Sequence, residues 1–241
     1  YKRQEQLCFL DGEAPDTVNP SLWRQAQLNA QHHGLYEVYD GLYQVRSFDI
    51  ANMTLIRGEK GWIIIDPLTS CESSAAALAL ANEQLGERPV VAVLITHSHA
   101  DHFGGILGVV SDQQVLSGEV PIIAPMDFVD ESLNENVLAG NAMGRRATYM
   151  YGNLLKPSPT GFVTTGLGAS LSLGTTGFIV PSDTICETGE TRNRSDCDEA
   201  EVGSQVEQND PLIATERSRD TWGAQCGREH GQAAEGCEVT M

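Results

Sequence analysis

An apolar strand that runs straight into a cluster of metal-ligand side chains is the feature that most constrains this sequence. Residues 89–96 (PVVAVLIT) form a continuous apolar run, which is typical of a strand buried on both faces of a parallel sheet. A second apolar run, WIII at residues 62–65, precedes it, and an Ala- and Leu-rich segment that ends near Leu85 separates the two. Strand, helix and strand in this order predict a parallel pair and an α/β fold.

Further strands and helices are predicted on either side of this pair. Residues 42–48 and 52–57 are strand-like, and residues 58–61 form a hairpin turn, so we expect an antiparallel meander before the parallel pair. Thr69 and Glu72 predict a capping box at the start of the helix. The other predicted features are a helix end at Gly86, a strand at residues 120–124, a helical stretch from about residue 127 to residue 151 and a last strand at residues 178–181.

Four potential metal ligands follow the buried strand within six residues: His97, His99, Asp101 and His102. Imidazole nitrogens and carboxylate oxygens bind Zn²⁺ in proteins, and a loop that leaves a rigid strand can turn closely spaced side chains to one side. We expect His97 and His99 to reach one metal ion. Asp101, which is also the candidate catalytic residue, and His102 are expected to reach a neighbouring ion. The alternative is a polar helix start with solvated histidines.

The composition excludes several classes of function. The formal net charge is −18 at pH 7, which repels phosphate backbones and anionic membrane surfaces, so nucleic acid is not an expected partner. No run approaches the roughly 18–20 consecutive apolar residues that a membrane-spanning helix needs. The six cysteines include no C-x-x-C pair, which favours free thiols over a disulfide framework or a Cys-zinc site.

The sequence changes character near residue 190. From Thr191 to Met241 the chain holds five Leu, Ile, Val or Phe residues, about a tenth of the segment, and they show no helical or strand period. We expect this segment to be disordered or aberrant. The predicted organisation is an N-terminal extension at residues 1–40, a partial domain at residues 41–190 and a tail at residues 191–241.

The histidine pattern THSHADHFGG at residues 96–105 resembles the metallo-beta-lactamase superfamily. Other segments are similar to its alkyl sulfatase branch, whose members hydrolyse dodecyl sulfate and related esters: residues 19–25, 48–53, 136–146 and 149–152. The resemblance covers roughly residues 19–190 and implies an αββα sandwich, incomplete in this chain, with two Zn²⁺ ions in the full site. It also implies a small-molecule alkyl sulfate substrate and a periplasmic or secreted location. The family forms homodimers, but the dimerisation region is missing from this sequence.

The resemblance also assigns roles to residues outside the histidine loop. Asp66, at the end of the IIIDP strand, corresponds to an aspartate that supports the metal ligands from behind; a simple Asp-Pro turn is the alternative. Weaker candidates for binding the sulfate group lie further along the chain: Asn141, Arg145, Arg146, Tyr149 and Tyr151. A solvated helix face is the alternative for the arginines, and an ordinary packing role is the alternative for the tyrosines.

The sequence departs from the family after residue 190, where family members supply two glutamate ligands and a further histidine ligand. We interpret the abrupt change as a frame disruption or an aberrant gene prediction, and a divergent variant is the alternative. We expect zinc-dependent hydrolysis of alkyl sulfates, to alcohol and sulfate, that is impaired by truncation. One alternative is an inactive metal-binding fragment. Another is a different hydrolase of the metallo-beta-lactamase fold, although this does not explain the similar segments at residues 141–146 and 149–152.

Overall fold

A seven-stranded mixed sheet is the main feature of the fold. The computed structural model describes residues 7–192, 200–204, 224–225 and 237–240. A first helix is followed by four antiparallel strands: α1 (Pro20–Gln31), β1 (Gly34–Tyr39), β2 (Leu42–Arg46), β3 (Met53–Arg57) and β4 (Trp62–Ile65). The predicted meander is therefore confirmed. It also contains β1, a strand that lies before the predicted domain boundary at residue 41.

The second half of the sheet is parallel. Helix α2 (Cys71–Leu85) connects β4 to β5 (Val90–Leu94), which pairs with β4 on one side and with β6 (Ile122–Pro125) on the other. The last strand, β7 (Asp183–Ile185), pairs in parallel with β6, so the order of the seven strands in space follows their order in the chain. The predicted parallel pair and the α/β fold class are confirmed.

Both faces of the central strands are buried, because these strands are apolar at consecutive positions and side chains alternate between faces. On one face Ile64 and Val93 lie in a cluster with Ala77 of α2. On the other face Ile63 and Leu94 belong to a second cluster. This two-sided burial holds the ends of β4 and β5 in place, and the histidine loop begins at the end of β5.

The start of α2 is capped one residue later than predicted. Ser70 is the N-cap, and its hydroxyl accepts a hydrogen bond from the Ser73 N–H at 3.2 Å. The predicted capping box of Thr69 and Glu72 is wrong, because the Glu72 carboxylate accepts hydrogen bonds from the N–H and the hydroxyl of Thr175 instead. Glu72 therefore ties the first turn of the helix to a distant loop.

Several short helical segments follow the parallel strands. After β5 come α3 (Ala100–Phe103), a 3₁₀ turn (Ile106–Gly108) and α4 (Asp112–Leu116); after β6 come α5 (Phe128–Leu133), a π-helical turn (Asn134–Leu138) and α6 (Gly140–Tyr151). The predicted helical stretch from about residue 127 to residue 151 is therefore confirmed, although a π turn interrupts it. In the π turn the Ala139 N–H bonds to the Asn134 carbonyl, five residues back, so one extra residue interrupts the helical register.

The predicted strand at residues 178–181 is also wrong. The ring of Phe178 packs against those of Phe103 and Phe128, with centroids 5.7 and 5.9 Å apart. Pro181 has no N–H to donate to a ladder, and the strand that does join the sheet, β7, begins two residues later. The strand predicted at residues 120–124 exists as β6, shifted toward the C-terminus.

A second, four-stranded sheet is described near the C-terminus. Its strands are β8 (Glu190–Arg192), β9 (Ala200–Ser204), β10 (Ala224–Gln225) and β11 (Cys237–Thr240), in the order β10-β11-β9-β8. The predicted disorder of residues 191–241 falls mostly on residues outside the described ones, so it stays a prediction. None of the described helices is long and apolar enough to cross a membrane.

Candidate functional site

The carboxyl ends of β4 and β5 bring Asp66 and the predicted ligands to the same edge of the sheet. Strand β5 ends at Leu94, and residues 95–99 leave it as a loop that continues into α3, which carries Asp101 and His102. Gly105 lets this segment lie against the turn after β4, because a side-chain carbon there would clash with the carbonyl oxygen of Pro67. The edge at which parallel strands end is a common place for a functional site in α/β sheets.

Asp66 holds the histidine loop from behind. Asp66 is buried, with 5% of its surface exposed. Its backbone has a left-handed φ of 56°, a conformation that aspartate tolerates better than most residues. One carboxylate oxygen accepts a hydrogen bond from the Thr96 N–H at 2.9 Å, and the other accepts one from the Thr96 hydroxyl at 2.8 Å. The second oxygen also lies 2.8 Å from Nδ1 of His102. Asp66 therefore contacts both the start and the end of the loop.

In His97 and His99, one ring nitrogen, here called the outer nitrogen, is held by an acceptor. His97 Nδ1 lies 2.7 Å from the Thr96 hydroxyl oxygen, and that hydroxyl gives its own proton to Asp66, so it accepts the proton of His97. His99 Nε2 lies 3.0 Å from a carboxylate oxygen of Glu135, which can only accept. These contacts assign the ring proton to Nδ1 of His97 and to Nε2 of His99.

The remaining nitrogens of the two rings, the inner nitrogens, face each other. His97 Nε2 and His99 Nδ1 are 3.0 Å apart. In the metal-free chain the two inner nitrogens share a proton in a hydrogen bond, and a metal ion that displaces this proton would meet a lone pair on each of them. Facing lone pairs are favourable when they share a cation, and neutral imidazole nitrogens are common zinc ligands. This pair therefore fits a metal ion.

Burial and neighbouring carboxylates determine the protonation of the loop. Burial lowers the pKa of His97 to about 4, with a further contribution from His102, which keeps His97 neutral near pH 7. Burial also lowers the pKa of His102, but hydrogen bonds to Asp101 and Asp66 outweigh it and raise that pKa to about 10.

Asp101 lies against the same histidine. Burial raises the pKa of the Asp101 carboxyl, but the hydrogen bond and charge of His102 lower it below its ordinary value. His102 Nε2 and the Asp101 carboxylate are 3.4 Å apart. In the metal-free protein the proton on His102 thus supplies a positive charge beside Asp101, at the place where the sequence predicts a second metal ion.

The four predicted ligands are not arranged around a single point. Within the ranges that the structure describes, no group of three or more His, Cys, Asp or Glu side chains is arranged to hold a metal ion. The donor types nevertheless suit zinc, because two imidazoles form one pair and a carboxylate and an imidazole form the other. The division of the four side chains into two ligand pairs stays a prediction, because the ring of His97 is also close to that of His102, with centroids 4.1 Å apart.

Glu135 is a contact that the sequence analysis missed. It lies on the π turn, and its carboxylate contacts both His99 and the hydroxyl of Ser98, the latter at 3.4 Å. No spacing rule indicates this residue, because 37 positions separate it from Ser98. The sequence signal for Glu135 is its position directly before residues 136–146, the segment that is similar to the alkyl sulfatases.

The weaker candidates for sulfate binding lie on α6, which has no buried residue. Asn141, Arg145 and Arg146 are exposed, Tyr149 is 90% exposed, and Tyr151 is half-buried. In the described part of the chain no hydrogen bond or ion pair joins these five side chains to the histidine loop. Their role in binding stays a prediction.

Comparison with known proteins relates most of the chain to sulfate ester hydrolases. Residues 46–214 match the metallo-beta-lactamase superfamily. A linear primary-alkylsulfatase from Pseudomonas sp. is 54% identical over 182 residues, which cover 75% of this chain and 27% of that protein. An alkyl/aryl-sulfatase from Saccharomyces cerevisiae is 50% identical over 185 residues, which cover 76% of this chain and 28% of that protein. The chain thus spans 27–28% of the length of these curated relatives.

A solved structure agrees with the sequence relatives. The stereoselective inverting sec-alkylsulfatase from Pseudomonas sp. superposes with a TM-score of 0.76 at 41% identity, over 80% of this chain and 31% of the other. The resemblance to alkylsulfatases and the metallo-beta-lactamase fold, both predicted from the sequence, are confirmed for the part of the chain that matches.

Proposed function

Because this chain belongs to the metallo-beta-lactamase superfamily, we propose that its histidine loop binds zinc and takes part in the hydrolysis of alkyl sulfate esters to an alcohol and sulfate. The observation that carries the proposal is the pair of facing nitrogens, His97 Nε2 and His99 Nδ1, each held by a hydrogen bond on the other side of its ring. The alkylsulfatase relatives support the reaction and the substrate class.

The two ligand pairs correspond to two metal positions. His97 and His99 would hold one ion, and Asp101 and His102 would hold its neighbour. Bound zinc lowers the pKa of water to about 7, which supplies a nucleophile or a base near neutral pH. Asp66 would orient His102 through their hydrogen bond, as carboxylates behind ligating histidines do. Metal binding would release the proton that His102 now shares with Asp101.

The sulfate ester would bind beside α6. Arg145 and Arg146 can each pair with sulfate oxygens, but neighbouring residues on a helix diverge by about 100°. One arginine would therefore face the site, and the other would face solvent or a partner subunit. The alkyl chain needs apolar surface, and the π turn and α6 expose Val137, Leu138 and Met143.

A second function, metal binding without turnover, is favoured by the pairing of the ligands. A catalytic zinc usually has three protein ligands and one open position, whereas the described residues include no group of three or more His, Cys, Asp or Glu side chains arranged to hold one ion. We therefore propose that the chain by itself hydrolyses alkyl sulfates more slowly than the ordinary range of about 1–1000 per second. A different hydrolytic activity has no support beyond the shared histidine loop.

Zinc content and sulfate release test these proposals together. The purified chain is loaded with zinc, its metal content is measured by atomic absorption, and sulfate release from dodecyl sulfate is followed. The His97→Ala, His99→Ala double variant is the control. The proposal predicts bound zinc and slow release for the unaltered chain and the loss of both in the double variant. Zinc without release would favour the second function, and unchanged zinc in the double variant would overturn the assignment of the loop.

A further inference from the structure

We propose that Glu135 is a positioning residue of the metal site, which fixes the proton of His99 on Nε2 so that Nδ1 faces the metal. The proposal rests on the function proposed above for the histidine loop. It adds a residue from a distant part of the chain that is not among the predicted ligands.

The Glu135 carboxylate lies against two residues of the loop. One oxygen is 3.0 Å from His99 Nε2, and the other is 3.4 Å from the Ser98 hydroxyl oxygen, which donates to it. The Glu135 side chain is 19% exposed, whereas that of His99 is 56% exposed. The carboxylate is thus largely shielded from water, and shielding strengthens the hydrogen bonds that it accepts.

The π turn is what brings Glu135 to the loop. The hydrogen bond from the Ala139 N–H to the Asn134 carbonyl, at 3.0 Å, closes a turn with one residue more than an α-helical turn. The next side chain, Asn136, donates to the Ser98 carbonyl oxygen at 3.2 Å. Two adjacent residues of the turn therefore contact the same loop residue. Single π turns inside helices recur at functional sites.

The same arrangement holds the other two loop histidines. Nδ1 of His97 bonds to the Thr96 hydroxyl, and Nδ1 of His102 bonds to the Asp66 carboxylate. Glu135 supplies the corresponding acceptor for His99. An acceptor behind a ligating histidine fixes its tautomer and ring orientation, and its loss typically costs about 10–100-fold in metal affinity. Glu135 completes this set of acceptors.

Zinc affinity, measured by chelator competition on the full chain, tests the role of Glu135 with matched variants. Glu135→Ala removes the acceptor and should weaken zinc binding by about 10–100-fold. Glu135→Gln keeps an amide oxygen that can accept from His99 Nε2, so it should retain most of the affinity. Glu131→Ala removes the same charge from an exposed position on α5 and should leave the affinity unchanged. An equal loss in the Gln and Ala variants of Glu135 would make it a direct ligand and overturn the proposal.

The tautomer of His99 gives a second readout that does not depend on metal. Long-range ¹H–¹⁵N NMR of the metal-free chain reports which ring nitrogen carries the proton. We expect Nε2–H in the unaltered chain and in Glu135→Gln, and a mixture of tautomers in Glu135→Ala. A His99 ring without a proton on Nε2 in the unaltered chain, or the same ring protonation in all three proteins, would overturn the role of Glu135 and leave the zinc function standing. An unaltered chain that binds no zinc would overturn both proposals.

Discussion

Replacing Asp66 with asparagine should weaken both the fold of the metal-free chain and its affinity for zinc. The buried carboxylate accepts hydrogen bonds from the N–H and the hydroxyl of Thr96 and pairs with His102. Asparagine keeps one acceptor oxygen, so an amide N–H₂ group faces the other contacts and cannot accept from them. Breaking a buried ion pair by removing one partner costs about 3–5 kcal/mol, which is a large share of a typical total stability of about 5–15 kcal/mol.

Urea unfolding of the metal-free chain measures the first effect, and chelator competition measures the second. We expect Asp66→Asn to lower the free energy of unfolding by about 3–5 kcal/mol and the zinc affinity by about 10–100-fold. Asp16→Asn is the control, because Asp16 lies exposed in a turn and its replacement removes the same charge. An Asp66→Asn variant as stable as this control, which should stay within about 0.5 kcal/mol of the unaltered chain, would refute the reasoning.

Three further substitutions, together with Gly144→Ala on α6 as a comparison, test the packing behind the loop by urea unfolding. Asp49→Asn should lower the free energy of unfolding by about 1.5–3 kcal/mol, because the buried carboxylate accepts hydrogen bonds from Thr69, Ser73 and Ser172; an unchanged value would show that these bonds add no net stability. Gly105→Ala should cost about 1–3 kcal/mol through its clash with the Pro67 carbonyl oxygen, whereas Gly144→Ala, a helical position with open space, should stabilise by about 0.5–1 kcal/mol. Ser70→Ala removes the cap of α2 and should cost about 0.5–2 kcal/mol; a loss as small as that of a surface control would contradict its role.

Features that depend on local pattern could be predicted from the sequence. Strands β4 and β5 are apolar at every position because both of their faces are buried, and such runs carry that information themselves. Gly86 ends α2 as predicted, with a φ of 95° that glycine adopts without strain. The four ligands of the histidine loop lie within six residues, so their proximity needed no knowledge of the fold.

Features that depend on distant partners could not be predicted. Glu72 has the spacing of a capping-box residue, but Thr175, which is 103 positions away, donates to its carboxylate instead. Glu135 reaches His99 because a π turn interrupts the helix, and a helical period in the sequence contains no signal for that interruption. The packing of Phe178 into an aromatic cluster likewise replaced the strand that its apolar neighbours favoured.

Zinc K-edge X-ray absorption of the zinc-loaded chain tests the central claim most directly, because it reports which atoms surround the metal. The histidine loop would surround zinc with imidazole nitrogen and carboxylate oxygen at about 2.0–2.2 Å. The chain also contains six cysteines that could bind zinc in its place. We predict a nitrogen and oxygen shell with the multiple scattering of imidazole rings. A sulfur shell at about 2.3 Å would contradict the account.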